Sequence, residues 1–352
     1  MPRRESVGGY LSEIRERYGT DIWCDSPNPP DLSRLVGLGA CGMTCNPFIV
    51  NGVVQGAAER WKPEIEALKK QDANVPWTVT KKVIQEALKI LEPTYVETKG
   101  AKGVGCIQVN PHLWNDTATM VEWAKDAYRI APNVAVKIPV TKAGVAAIEE
   151  LAAENISTNG TVVYTIPQLV AIAEAFKRGK ARAAAAGKLD PNRPLHSYAT
   201  LMVGRLDDHL RDVAKETGMQ IDPEVMTWAG VAVGKKAYKL FCERGYESVV
   251  LIAAMRGTYH IGKFIGGKVI ITVPPPWEET FGKSVDRKVP PPLMDEPVPQ
   301  SMLDQLIDRF VDFRRAYFEN GMTQDEFVSF GAAQKTLKQF QGGWDDLVKF
   351  IG

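Results

Sequence analysis

Eight short apolar segments recur between residues 21 and 273, and stretches with helical periodicity separate most of them. The segments span 21–25, 42–46, 103–109, 134–139, 157–163, 197–203, 248–255 and 268–273. Between them, residues 76–91, 117–130, 142–155, 166–186, 222–245 and 259–266 repeat apolar side chains three or four positions apart, the spacing that gives a helix one buried face. Strands that alternate with helices run parallel, because a parallel neighbour is reached only through a crossover. Eight such units over roughly 250 residues have the size and count of a (β/α)8 TIM barrel. A doubly wound sheet is the alternative, but it would place a glycine-rich phosphate loop after its first strand. Here the first strand runs into Ser26-Pro27-Asn28-Pro29-Pro30.

The fourth segment, Val134-Ala135-Val136-Lys137-Ile138-Pro139, sets one lysine among apolar residues and leads directly into a helix start. Side chains alternate faces along a strand, so Lys137 shares its face with Ala135, while Val134, Val136 and Ile138 take the other. An ammonium facing a barrel interior is poorly solvated, which favours the neutral amine. The neutral amine is the form that attacks a carbonyl to give a Schiff base. A lysine that snorkels to the surface from an edge strand is the plainer reading. The rest of the chain favours the first.

A net charge of +1 over 352 residues gives no electrostatic case for nucleic acid. No apolar run is long enough to span a membrane, and the basic start at 1–4 is followed by polar residues rather than by an export signal. The expected compartment is the cytoplasm. Five cysteines (Cys24, Cys41, Cys45, Cys106 and Cys242) are an odd number, in keeping with reduced thiols. Cys41 and Cys45 could begin a metal site, but no second pair matches them and the histidines are scattered. Buried free thiols are the expectation, with neither metal nor organic cofactor.

The chain is expected to divide into a barrel over 1–285, a proline-rich connection over 286–300 and C-terminal helices over 301–352. The run Val289-Pro290-Pro291-Pro292 with Pro297 and Pro299 reads as extended chain. Residues 301–320 read as a helix carrying Phe310, Phe313 and Tyr317 on one side. Asn320-Gly321 ends it and Thr323 caps the next. Leu337, Phe340, Trp344, Leu347 and Phe350 form a last apolar stripe. Packing onto the barrel is expected of these aromatics; a lid or a subunit contact is the alternative. Monomer and homodimer both remain open.

In a barrel of this kind chemistry sits at the carboxyl ends of the strands, and polar residues gather there. The first strand ends at Asp25, the second in Thr44-Cys45-Asn46-Pro47, and the third carries Gln108 and Asn110. The fourth carries Lys137, the fifth Asn159 and Thr161, the sixth Thr200 and then Arg205, and the seventh ends in Arg256. Inward polar side chains need partners, so a set this dense points to a site.

These residues carry a family resemblance. Lys137-Ile138-Pro139-x-Thr141-x-Ala143-Gly144, with Glu149 and Leu151, is similar to the lysine motif of transaldolases, the Schiff-base enzymes of the pentose phosphate pathway. Thr44-x-Asn46-Pro47 resembles their second-strand motif, with Cys45 where serine or threonine is usual and Phe48 where a small residue is. Asn110-Pro111 with Asp116-Thr117, Asn159-x-Thr161, Val203-Gly204-Arg205-Leu206-Asp207 and the segment around Arg256 resemble further signatures.

The resemblance implies a (β/α)8 barrel acting on sugar phosphates. Lys137 would condense with the C2 carbonyl of a ketose phosphate. Asp25 would take the C4 hydroxyl proton as the C3–C4 bond breaks. The three-carbon enamine left on Lys137 would then attack an aldose. Thr44, Asn46, Asn159, Thr200 and Met202 would line the substrate, and Arg205 and Arg256 would hold its phosphate. Gln108 departs from the pattern, since transaldolases usually have glutamate there, working with the Thr161 position on the catalytic water. A glutamine can orient that water but cannot take its proton. The small fructose-6-phosphate aldolases of the same superfamily also carry glutamine, and they release dihydroxyacetone. Thr200 stands in place of serine, and Met202 in place of the transaldolase phenylalanine or the aldolase tyrosine. The expected activity is therefore transaldolase-type transfer, with a dihydroxyacetone-releasing lyase and an inactive sugar-phosphate-binding barrel as alternatives.

Overall fold

Eight strands pair in sequence order and close on themselves. They are β1 (Asp21–Cys24), β2 (Gly42–Met43), β3 (Val104–Gln108), β4 (Val134–Pro139), β5 (Thr158–Val163), β6 (Ser197–Met202), β7 (Val249–Ala253) and β8 (Ile270–Val273). Every pair is parallel, including β1 with β8, so the fold is the (β/α)8 barrel. The computed structural model describes residues 9–352; the basic start at 1–4 lies outside them.

The period-two pattern separates two cores. Trp23, Val104, Cys106, Ala135, Tyr198, Leu251, Ala253 and Ile270 pack with one another inside the barrel. There the Trp23 and Tyr198 rings meet edge to face at 4.9 Å. Val134, Val136, Ile138 and Ile107 point the other way and join the helices in the larger core. Lys137 therefore stands on the inner face above Ala135, and it is 3% exposed.

The turn that follows Lys137 has a steric basis. Thr141 caps the helix Lys142–Ala153 by accepting the Gly144 N–H at 3.0 Å, and its own hydroxyl donates to the Trp114 carbonyl at 2.6 Å. A Cβ on Gly144 would lie 1.8 Å from the Pro139 carbonyl oxygen, so the helix reaches the strand this closely only because the residue is glycine. Gly144→Ala is expected to cost about 1–3 kcal/mol or more, the range for forcing a methyl group into packed structure. Relief of the clash shifts the end of β4 two residues from Lys137. A urea titration that leaves the midpoint unchanged would contradict this.

Tertiary packing moves several helix ends. The helix foreseen over 76–91 runs Val75–Glu97. Pro93 lies inside it, and buried Leu91 and Tyr95 carry it past the proline. The pattern over 222–245 splits into Pro223–Met226 and Ala229–Arg244. That over 301–320 splits into Gln300–Arg309 and Val311–Tyr317 at Phe310, an extended residue with a buried ring. The proline-rich stretch between the helix Pro275–Ser284 and Gln300 is irregular. Thr323 and Glu326 form a capping box on the next turn.

The last helix, Gly331–Ile351, crosses the face formed by the carboxyl ends of the strands. It packs on the helix Pro47–Gly56 after β2, on the turn Pro111–Leu113 after β3, on β5, and on the helix Val203–Glu216 after β6. Leu337, Phe340, Trp344 and Leu347 are buried and Phe350 half-buried, so the aromatic stripe packs on the barrel. Among the described residues no helix is long and apolar enough to cross a membrane.

Candidate active site

Strand register assembles the polar residues. Gln108 pairs with Lys137 across β3 and β4, and Lys137 with Asn159 across β4 and β5. Pro139 pairs with Thr161 one step further along. Neighbouring parallel residues share a face, so the glutamine, the lysine and the asparagine stand side by side in the barrel mouth.

The Lys137 Nζ donates to the backbone carbonyl of Cys45 at 2.9 Å. The lysine thus takes support from the segment just past β2 rather than from a carboxylate. Asp25, just past β1, accepts from the Thr44 hydroxyl at 2.7 Å, and Thr44 also meets Thr272 of β8 at 2.5 Å. Burial pushes the Asp25 carboxyl above the ordinary carboxylate range, outweighing the opposing pull of the Lys137 ammonium, the Thr44 hydroxyl and Arg205. An aspartate held this way accepts a proton more readily than one in water, as a general base near neutral pH should.

Asn159 is fully buried and tied on both sides. Its Oδ1 accepts from the Thr200 hydroxyl at 2.5 Å, and its Nδ2 donates to the Cys106 sulfur at 3.2 Å. One amide hydrogen is left to point elsewhere. Asn46 caps the helix Pro47–Gly56 through its Oδ1, which accepts the Ile49 N–H at 3.1 Å. Its carboxamide nitrogen is left as a donor.

Gln108 and Thr161 differ from these. Both polar atoms of the Gln108 carboxamide and the Thr161 hydroxyl are buried without a protein partner among the described residues. Buried polar groups rarely go unmatched, so this pair can serve a water or a bound molecule.

The two arginines lie beside one another. A Cβ on Gly204 would come 2.2 Å from the Ala254 carbonyl and 2.6 Å from the Arg256 side chain, so glycine before Arg205 lets the two loops touch. Arg205 is half-buried with its Nε unpartnered among the described residues. Arg256 is exposed, donates from Nε to Asp208 at 2.7 Å, and braces its own loop through Nη1 to the Met255 carbonyl at 2.9 Å. Burial and the neighbouring Arg256 both pull the Arg205 pKa down. Two adjacent cations at a barrel mouth suit a dianion.

Met202 closes the mouth on the β6 side and is 5% exposed. The Tyr164 hydroxyl reaches its sulfur at 3.5 Å. Tyr164 and Thr336, which the pattern of strand ends does not pick out, thus join the site. Thr336 could have been found as the single hydroxyl within the apolar stripe of the last helix. Tyr164 follows β5 beyond a register shift at Gly160 and Val163, which period-two counting cannot foresee. Cys45 and Cys106 are buried, free thiols, and burial raises both, Cys106 to about 11; Cys45 donates to the Cys106 carbonyl and the Cys106 sulfur accepts from Asn159, so they pack and hydrogen-bond rather than act as nucleophiles.

A family model described as "Transaldolase/Fructose-6-phosphate aldolase" matches residues 22–351. A transaldolase from Thiobacillus denitrificans is 26% identical over 368 aligned positions, covering 96% of this chain and 98% of that protein. A transaldolase from Mycobacterium ulcerans is 28% identical over 236 positions. That match covers 64% of this chain and 62% of the mycobacterial protein, less than two thirds of its length.

Proposed function

Because this chain belongs to the transaldolase/fructose-6-phosphate aldolase family, we propose that it transfers a three-carbon dihydroxyacetone unit from a ketose phosphate to an aldose through a Schiff base on Lys137. The observation that carries this is the buried amine of Lys137 inside the barrel, 3% exposed, close enough to Asp25 to act on its ionisation. The amine adds to the ketose C2 carbonyl and water leaves, giving an iminium. The C3–C4 bond then breaks. Its electron pair moves into the iminium to form an enamine, the C4 hydroxyl proton passes to the Asp25 carboxylate, and the aldose departs. The enamine carbon next attacks an acceptor aldehyde. Asp25 returns its proton to the new alkoxide, and water releases the product from the lysine.

In this scheme Asn159 and Asn46 hold hydroxyls of the three-carbon unit with their free amide hydrogens. Thr44 orients Asp25, Thr200 orients Asn159, and Met202 supplies an apolar wall. Gln108 and Thr161 place the water that leaves as the iminium forms and that later cleaves it. Arg205 and Arg256 hold the phosphate. A cytoplasmic enzyme of carbohydrate metabolism fits these substrates.

A second reading is favoured by one observation: the residue beside Lys137 on β3 is the carboxamide Gln108. With no carboxylate at that place, protonation of the enamine and release of dihydroxyacetone compete with transfer. The two outcomes separate on acceptor dependence. Transfer predicts that product forms from fructose 6-phosphate only when an aldose such as erythrose 4-phosphate is supplied. Free dihydroxyacetone formed from donor alone, at a rate no acceptor changes, would assign the lyase. Borohydride added to enzyme and donor should leave a reduced three-carbon adduct on Lys137, found by peptide mass spectrometry. A folded protein yielding no adduct with any ketose would leave only the inert binding barrel.

A further inference from the structure

We propose that the C-terminal helix completes the phosphate subsite, with Thr336 as a third phosphate ligand beside Arg205 and Arg256 and with Tyr164 as the residue that positions it. The inference rests on the reading of the two arginines as the phosphate anchor and extends it to a helix outside the eight βα units.

Arg205 is the starting point. Its guanidinium is half-buried, and its Nε has no partner among the described residues. The carboxylates on its own helix are engaged elsewhere: Arg211 approaches Asp207 and binds Asp208, and Arg256 binds Asp208. A half-buried guanidinium that Asp208 and Asp25 reach only at a distance, with no ion pair of its own among the described residues, gains when an anion arrives. What the last helix offers Arg205 is a neutral lining. Phe340 lies with its ring centroid 5.7 Å from the guanidinium carbon, and Thr336, one turn earlier on the same face, accepts from Nη1 at 3.3 Å.

Thr336 is 1% exposed. Its Oγ1 accepts from Arg205 and also from the Tyr164 hydroxyl. A threonine hydroxyl has two acceptor lone pairs and one proton. With the single Tyr164 proton given to Thr336 rather than to the Met202 sulfur, both lone pairs face donors and the Thr336 proton points away from them. Among the described residues it donates to nothing, not even to the carbonyl one turn back that threonines in helices often use. The geometry therefore leaves an unused donor next to a guanidinium with no ion pair of its own. A phosphate oxygen bound to Arg205 supplies the acceptor this proton lacks. Tyr164, held between Met202 and Thr336 with its ring 6.0 Å from that of Phe330, fixes the hydroxyl in this orientation. Phosphate binding then adds a contact between barrel and helix, so the helix is a wall of the pocket that phosphorylated substrates tighten.

The test compares kcat/KM for fructose 6-phosphate with that for fructose, in the full-length chain and in Thr336→Val, Thr336→Ser and Tyr164→Phe. Thr336→Val keeps the shape and removes the proton. The phosphorylated-to-unphosphorylated ratio should fall about tenfold, the size expected for one hydrogen bond to a charged group. The fall should lie mostly in KM, with a matching rise in the inhibition constant for inorganic phosphate. Thr336→Ser should restore the ratio, and Tyr164→Phe should lower it by less. If Thr336→Val depresses both substrates equally, or leaves the ratio unchanged, Thr336 is a packing residue and the inference is overturned. Should Thr336→Val fail to fold, Tyr164→Phe decides: an unchanged ratio overturns the proposal. If the wild-type chain itself does not distinguish the two sugars, the phosphate reading of the arginines fails first, before any substitution is made.

Discussion

Replacing Lys137 with methionine should reduce turnover by more than about 10⁴-fold, since removal of a covalent nucleophile leaves only the binding and polarising groups of a site. Methionine retains most of the lysine's volume, so the loss is chemical. The side chain is 3% exposed and, among the described residues, its Nζ makes a single hydrogen bond, to the Cys45 carbonyl. Losing that bond also removes a buried polar group, and burying an amine with so little hydrogen bonding is itself unfavourable. The variant is therefore expected to unfold in one cooperative transition, with a melting temperature no lower than that of the parent. It should also give no borohydride-trapped adduct. Residual turnover above a hundredth of wild type, or an adduct on another lysine, would remove Lys137 from the mechanism. Lys235 is the informative comparison. It too is buried, and burial takes its pKa down to about 8, but its ammonium donates to the Leu293 and Glu296 carbonyls and it lies on the helix Ala229–Arg244, outside the barrel interior. A depressed pKa alone does not make a Schiff-base lysine; position at the strand ends does.

Asp25→Asn should lower kcat by about 10²–10⁴-fold, the usual contribution of a positioned general base, and should raise stability at neutral pH. Asparagine can still accept from Thr44 through its carbonyl oxygen, so the local geometry survives. The sign of the stability change follows from the direction of the shift. Burial raises the Asp25 pKa in the folded state, so the folded protein binds the proton more tightly than the unfolded chain does. The favourable term is fully present below the unfolded value, near 4, and is lost as pH rises through the raised folded value. Above that value the ionised carboxylate costs stability. Asparagine carries no charge at any pH. The variant should therefore melt above wild type at pH 7, with the gap closing as pH falls toward 4. A gap that widens on acidification would mean that Lys137 and Thr44 hold the carboxylate below its ordinary range. The same shift moves the acid limb of the wild-type pH–rate profile above that of a solvated aspartate, and the limb should vanish in the variant's residual activity.

Much of the molecule was legible from residue pattern. Strand–helix alternation was enough for the barrel because parallel strands need crossovers, and period two was enough to turn Lys137 inward with Ala135 and away from Val134, Val136 and Ile138. The helix break at Phe310 was not legible, since a buried ring pinned by its neighbours overrides local periodicity. The helix through Pro93 was missed for the same reason.

The sequence by itself determined the fold class, the inward-facing amine and the strand-end residues that surround it. Each of these follows from local spacing: a side chain two residues along a strand shares a face, and a residue at a strand's carboxyl end opens onto the mouth. Tertiary structure alone decided which atoms meet. It put the Cys45 carbonyl under the Lys137 ammonium, 92 residues away in sequence. It tied Asn159 to both Cys106 and Thr200. It brought Thr336 against Tyr164 and Arg205, 172 and 131 residues distant. Contacts across such separations depend on barrel closure and on where the last helix lies. Neither leaves a periodic trace in the chain, because the positions they join carry no fixed spacing.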